Sequence, residues 1–111
     1  MSKMNGIVIF KDKKIRTVIV DGEYYYAVID VLNIFLESSS PKSYWHVIKR
    51  RDSQLITNCN ELSLNVQNGK TYKIECANKE GLLRILQSLS INFNKRKLFE
   101  IWFEKLPSQL V

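Results

Sequence analysis

Apolar residues alternate with polar ones in some parts of this chain and recur at helical spacing in others. Residues 6–10 and 15–20 are rich in Val, Ile and Phe and flank a short charged run, which predicts a β-hairpin. The Asp21-Gly22 pair is a turn signal, and three consecutive tyrosines at 24–26 follow it. The first part of the chain is therefore predicted to be an antiparallel β-meander.

Two short helices are predicted next. Residues 28–37 carry apolar side chains at helical spacing, and Asp30 lies near the start, where a carboxylate suits the helix dipole. Ser40 followed by Pro41 is a strong start signal for a second helix over residues 41–51. Because a short run of serines joins them, the pair loosely resembles a helix-turn-helix, although the usual glycine in the turn is absent.

The second half of the chain predicts a hairpin and two more helices. Residues 52–60 are polar and read as a loop, after which residues 62–66 and 72–76 alternate around an Asn-Gly turn at 68–69. A helix over residues 79–89 is expected, with Asn78 as its cap. Its inward positions are Leu82, Ile85, Leu86 and Leu89.

The last predicted helix runs from residue 93 or 94 to residue 105 and ends before Pro107. Its apolar stripe is expected to contain Leu98, Ile101, Trp102 and Lys105, flanked by Phe99, Phe103 and Leu106. The helical spacing of Phe99, Trp102 and Phe103 predicts that these three aromatic side chains belong to the core. The fold class is thus α+β. Its elements are a meander, two short helices, a hairpin and two C-terminal helices, all in one domain over residues 1–111.

The second helix combines an apolar side with a cationic side. Winding residues 41–51 at about 100° per residue places Tyr44, Val47, Ile48 and the stem of Arg51 together. Lys42, His46, Lys49 and Arg50 share the other side, with Trp45 on the border, where burial or stacking on a base is equally open. The cationic side has two interpretations. It is either an ordinary solvent-exposed helix face or a binding surface for a polyanion.

Charge and composition favour a binding protein. The chain is 45% apolar and carries a net charge of +6, which suits a folded domain with an anionic partner. Lys95, Arg96 and Lys97 open the last helix, where cations oppose the helix dipole, so they form a second candidate contact. The alternative, at least as good, is an ordinary exposed first turn.

Signals for catalysis are weak in this sequence. There is one histidine, and no Gly-rich phosphate loop or catalytic elbow motif occurs. Two cysteines and one histidine, none at zinc-finger spacing, argue against a metal site, and no cofactor is expected. The cysteines are expected to be reduced thiols in an intracellular compartment, since no secretory signal or membrane span is evident.

Several short motifs follow one another along most of the chain. They are Ile15-Arg16, Asp21 to Tyr25, Ala27 to Val31, Ser40 to Trp45, Lys49 to Arg51, Gly69 to Tyr72, Asn78 to Leu86, Phe99 with Trp102, and Leu106-Pro107. Their order resembles the N-terminal domain of the BRO family, which occurs in prophage antirepressors and large DNA virus proteins. At position 27 this chain has Ala where some relatives have a Ser that could cap the first helix. The region around Cys59 has no counterpart in the family. The resemblance implies an α+β DNA-binding module, either stand-alone or part of a longer protein.

We therefore expect a non-enzymatic DNA-binding module of a prophage antirepressor or BRO-like regulator, in the bacterial cytoplasm or a host nucleus. Its expected partner is duplex or single-stranded DNA. The expected contacts are Lys42, Trp45, His46, Lys49, Arg50, Arg51, Lys95, Arg96 and Lys97. The alternatives are a protein-interaction module that captures a repressor or another acidic partner, and an RNA-binding regulator.

Overall fold

The computed structural model describes residues 3–36, 40–56, 59–65, 71–89 and 92–106. Five antiparallel strands form one sheet in the order β1-β2-β3-β5-β4. The strands are β1 (Lys3–Phe10), β2 (Lys13–Val20), β3 (Glu23–Ala27), β4 (Cys59–Asn65) and β5 (Thr71–Ala77). The helices are α1 (Val28–Phe35), α2 (Pro41–Arg51), α3 (Lys79–Gln87) and α4 (Phe93–Glu104). The predicted α+β class and order of elements are confirmed.

Tight turns set the register of the meander. Lys11 and Asp12 adopt positive φ angles of 46° and 68° between β1 and β2, and Asp21 and Gly22 adopt 50° and 87° between β2 and β3. Two consecutive positive φ angles are typical of the type I′ turn, whose twist matches that of the flanking strands. The backbone conformations of residues 11–12 and 21–22 thus account for the predicted hairpin and for the turn that follows it.

The hairpin of β4 and β5 extends past the end of β3. Only two residue pairs join β3 to β5, Tyr26 with Ala77 and Ala27 with Cys76. The pairing of β4 with β5 continues for the full length of both strands, from Cys59 with Ala77 to Asn65 with Thr71. Residues 71–75 therefore project beyond β3, and α1 begins where β3 ends.

The core lies between one face of the sheet and the helices. Phe99 is fully buried at its centre, with its ring centroid 5.1 Å from that of Phe10 and 5.4 Å from that of Phe35. The predicted inward positions of α3 are all buried. The fully buried large side chains are Tyr26, Phe99, Phe103, Ile15, Leu32, Ile48, Leu82, Ile85, Leu86, Val18, Val28 and Val31.

The predicted core positions Phe99 and Phe103 of α4 are confirmed, but the predicted apolar stripe is wrong at Leu98 and Ile101. Phe99 and Phe103 are fully buried, whereas Leu98 and Ile101 are 53% and 46% exposed. Phe99 and Phe103 are buried because this side of α4 packs against the sheet, where the Tyr26 and Phe103 ring centroids lie 4.8 Å apart. Of the other two predicted members of the stripe, Trp102 packs at the edge of the core and Lys105 is exposed.

Side-chain caps start three of the helices. Asn78 Oδ1 accepts a hydrogen bond from the Gly81 backbone N–H at 2.8 Å, and Ser40 Oγ accepts one from Ser43 at 3.4 Å. Asn92 Oδ1 accepts one from Lys95 at 3.0 Å. The predicted starts of α2 and α3 are confirmed, because capping depends on residues only three positions apart.

Two parts of the predicted loop over residues 52–60 form regular secondary structure. A single turn of 3-10 helix covers Ser53–Ile56, and β4 already begins at Cys59. Burial of Leu55 anchors the turn, and pairing with Ala77 draws Cys59 into the sheet. The predicted Asn68-Gly69 turn and Pro107 lie outside the described residues.

Candidate nucleic-acid interface

An open groove of about 520 Å³ separates α2 from the β4–β5 hairpin. One wall is α2 and the other is the projecting part of the hairpin, and β2 and α1 each add one side chain. The lining residues are Lys42, Trp45, His46 and Lys49 from α2, Glu61, Tyr72, Lys73, Ile74 and Glu75 from the hairpin, Arg16 from β2 and Ile29 from α1.

The sequence-predicted faces of α2 need one correction. Trp45 and Ile48 are buried, at 3% and 1% exposure, while Val47, expected on the apolar side, is 56% exposed. The helix is thus rotated so that Trp45 packs into the core. The large indole gains more from burial than the valine side chain does, which explains the rotation.

Burial removes Trp45 from the list of stacking residues. Its indole Nε1 donates a hydrogen bond to Glu75 Oε2 at 3.1 Å, so its polar edge is also occupied. The predicted role of this side chain as a base-stacking platform or wedge is therefore wrong. Trp45 instead attaches α2 to the hairpin.

Lys49 is also less available to a ligand than its predicted place on the cationic side of α2 implied. Its ammonium group forms an ion pair with Glu75 Oε1, and Nζ lies 5.5 Å from the Trp45 ring centroid. Lys42 and His46, in contrast, are exposed and face the groove. Arg50 and Arg51 are exposed on α2 but do not line the groove.

The second predicted cationic group lies apart from the groove lining. Arg96 is half-buried, with Nε 3.3 Å from Glu100 Oε1 and its guanidinium 5.7 Å from the Phe93 ring centroid. Lys95 Nζ lies 5.9 Å from the Phe35 ring centroid, and Lys97 is exposed. None of these three side chains lines the groove. The structure therefore joins Lys42, His46 and Lys49 but not the group at 95–97.

Sequence reasoning missed every groove residue outside α2, among them Tyr72, Lys73 and Arg16. Tyr72 is 51% exposed beside Lys73, and both come from β5. Arg16 comes from β2, far away in the sequence. Tyr72 was expected in the hairpin as an alternating apolar residue, and only the projection of β5 past β3 exposes it. No local signal identifies Arg16 or Lys73 as partners of α2.

Arg16 is held in place by Asp30. The hydrogen bond to this carboxylate raises the pKa of the guanidinium, so the group stays charged at every relevant pH. The Arg16 side chain is still 41% exposed. It therefore supplies a fixed positive charge beside the groove rather than a mobile one.

Comparisons of the chain with protein-family models, with curated proteins and with solved structures gave no match. The resemblance to the BRO-family domain therefore stays a prediction. In the part of the chain that the structure describes, no group of three or more His, Cys, Asp or Glu side chains is placed to hold a metal ion. No helix there is long and apolar enough to cross a membrane.

Proposed function

We propose that this protein is a non-enzymatic DNA-binding module that engages the phosphate backbone through the groove between α2 and the β4–β5 hairpin. The observation that carries the proposal is convergence. Arg16, Lys42, Lys49, Lys73 and His46 come from three separate elements and line one concave surface. Four of these side chains are cations against two carboxylates, Glu61 and Glu75, so the lining keeps a net positive charge. A surface with net positive charge attracts a polyanion, because every neutralised phosphate also releases condensed counterions.

Lys42 and Lys73 are assigned as the principal phosphate contacts. Both side chains are exposed, and they approach the groove from opposite walls. A nucleic-acid strand lying in the groove would contact the ammonium group of Lys42 on one side and that of Lys73 on the other. Arg50, exposed on the same helix, extends the positive surface beyond the groove.

Tyr72 takes the stacking role that the sequence had given to Trp45. Its ring is half exposed, and a lysine flanks it on the same strand. Aromatic rings next to cations suit unstacked bases and sugar edges. The proposal covers both duplex and single-stranded DNA. RNA binding is the alternative, and a comparison of the three probes tests it.

A salt titration tests the proposal. Binding of a labelled random duplex, a single strand and an RNA of equal length would be measured from 50 to 300 mM salt. If Lys42, Lys73 and Arg50 each neutralise one phosphate, log K should fall with log salt at a slope of about −3 for duplex DNA. Lys42→Ala combined with Lys73→Ala should weaken binding to every sequence and reduce that slope by about 2.

A matched control separates the groove from net charge. Lys11→Ala with Lys13→Ala removes the same charge from the exposed β1–β2 hairpin, away from the groove lining. The proposal requires the groove pair to weaken binding far more than the hairpin pair. Equal losses would mean that binding follows net charge alone, and no binding at low salt would reject the function.

A second candidate function is capture of a partner protein, such as a repressor. Ile7 and Ile9 are both 57% exposed on β1, which is an edge strand of the sheet. An exposed apolar strand edge is a common site for strand addition by a partner. Replacing Ile7 and Ile9 with Lys should abolish such capture while leaving DNA binding intact.

A further inference from the structure

Glu75 places a carboxylate inside the cationic groove. Its Oε2 accepts the hydrogen bond from Trp45 Nε1 at 3.1 Å, and its Oε1 pairs with the Lys49 ammonium group. The side chains of Lys49 and Glu75 are 26% and 31% exposed, so solvent and a ligand can both reach the pair. Two donors on α2 thus already hold an anion at the position where a bound phosphate would be expected.

A second carboxylate faces Glu75 across the hairpin. Glu61 lies directly opposite Glu75 in the register of β4 and β5, and both line the groove. Like charges at directly opposed positions destabilise a strand pair. The ion pair with Lys49 offsets this repulsion for Glu75, while Glu61 is exposed and relies on solvent.

We propose that Glu75 is an internal competitor for Lys49, so that it sets the affinity of the groove for nucleic acid. In the free protein the carboxylate satisfies the ammonium group. In the complex a phosphate replaces it, and Lys49 turns from Glu75 to the ligand, while Trp45 keeps its bond to Glu75 and holds α2 in place. The inference rests on the proposed function, because it describes regulation of the same site.

The competition weakens binding in two ways. Lys49 contributes a new phosphate contact only after its pair with Glu75 is broken, and the displaced carboxylate remains near the phosphate. Ligands that offer a doubly charged or bidentate phosphate should displace Glu75 more readily than those with one diester charge. Glu75 is thus a positioning residue that acts through Lys49.

Glu75→Gln is the direct test. The amide oxygen can still accept the hydrogen bond from Trp45, but the charge that holds Lys49 is removed. At 50 mM salt we expect duplex DNA to bind about fivefold more tightly, the size typical of one partly exposed ion pair. The salt slope should become slightly steeper, because the parent complex releases a carboxylate that takes up a salt cation, whereas the amide of Glu75→Gln does not.

Glu61→Gln is the matched control. It removes the same charge from the same groove but leaves the pair of Lys49 with Glu75 intact. Glu61→Gln should raise DNA affinity by at most about twofold, because its charge acts on the phosphates only through solvent-screened electrostatics. The salt dependence of log K should not become steeper. Equal effects of the two substitutions would overturn the inference, as would unchanged or weaker binding by Glu75→Gln.

Lys49→Gln completes the test. On its own this substitution should weaken binding, because it removes the phosphate contact of Lys49 and leaves the Glu75 carboxylate without its ion pair in the groove. Combined with Glu75→Gln it should abolish the gain. A gain that survives without Lys49 would contradict the proposed mechanism.

A measurement on the unsubstituted protein covers the case in which Glu75→Gln does not fold. The ¹⁵N resonance of the Lys49 ammonium group should shift when a short duplex is added, while the Trp45 indole N–H should remain in place. If Lys49 does not respond although DNA binds, the inference fails and the proposed function stands. If neither the parent protein nor Glu75→Gln binds DNA at low salt, both fail.

Discussion

Asp30 accepts three hydrogen bonds from Arg16. The donors are the backbone N–H at 2.8 Å, Nε at 2.8 Å and Nη2 at 2.9 Å. The pairing of β2 with β3 ends at Thr17 and Tyr26. Arg16, the residue before Thr17, therefore donates its backbone N–H to Asp30 in the first turn of α1 instead. One carboxylate thus joins the sheet to α1 and fixes a groove cation.

Asp30→Ala should lower the free energy of unfolding by about 2 kcal/mol, because it leaves a backbone donor and a guanidinium without their acceptor. Urea denaturation measures this loss. Glu80→Ala is the control, since Glu80 also lies in the first turn of a helix but is exposed and pairs only with Arg84, at 3.3 Å. We expect a loss of about 0.5 kcal/mol or less there. Similar losses for the two substitutions would mean that Asp30 acts only on the helix dipole.

Tyr72 and Trp45 should respond oppositely to substitution. Tyr72→Ala should reduce DNA affinity about tenfold, the value of one stacked base, without lowering the melting temperature. Trp45→Ala should destabilise the fold by about 3–5 kcal/mol, because it empties a buried site. Fluorescence anisotropy and thermal denaturation measured on both variants separate the roles. Loss of DNA affinity in a fully folded Trp45→Phe variant, with Tyr72→Ala unaffected, would restore the original sequence-based assignment.

Cys59 should make stability fall at high pH. Burial, with a smaller contribution from Glu75, raises the pKa of its thiol from 9.0 to about 11. The unfolded chain loses this proton near pH 9 and the folded chain retains it, so unfolding becomes easier as pH rises from about 9 to about 11. The free energy of unfolding at pH 8 and pH 10.5 should differ more for the parent protein than for Cys59→Ala. An identical pH dependence in the two proteins would contradict the burial of this thiol.

Loss of the α3 cap should cost more than loss of the α2 cap. Asn78→Ala should reduce the free energy of unfolding by about 1 kcal/mol, because the Gly81 N–H loses a 2.8 Å hydrogen bond. Ser40→Ala should cost less, since its bond to Ser43 is 3.4 Å long and exposed. Urea denaturation of the two variants tests the order, and a reversed order would show that Ser40 contributes through other contacts.

Several features of this protein followed from the sequence because their causes are local. The turns at residues 11–12 and 21–22 and the cap at Asn78 depend on residues within a few positions of each other. The alternation that predicted the β4–β5 hairpin and the spacing that predicted the buried side of α3 are likewise short-range patterns. Residue identity over one or two turns was enough to fix these elements and the α+β class.

Tertiary structure decided which sides of α2 and α4 are buried. Both helices carry apolar residues around much of their circumference, so their own periodicity admits more than one orientation. The contact of Phe103 with Tyr26 selects one side of α4, and the bond between Trp45 and Glu75 accompanies burial of one side of α2. Those partners lie in strands distant in the sequence.

The groove itself is also a product of tertiary structure. Tyr72, Lys73 and Glu75 line the groove beside α2 because β5 pairs briefly with β3 and then continues past it, and Arg16 joins them from β2. The sequence by itself determined the elements, their caps and an excess of positive charge. Strand order and register decided which charges meet, because electrostatic and packing interactions depend on distance in space rather than on separation along the chain.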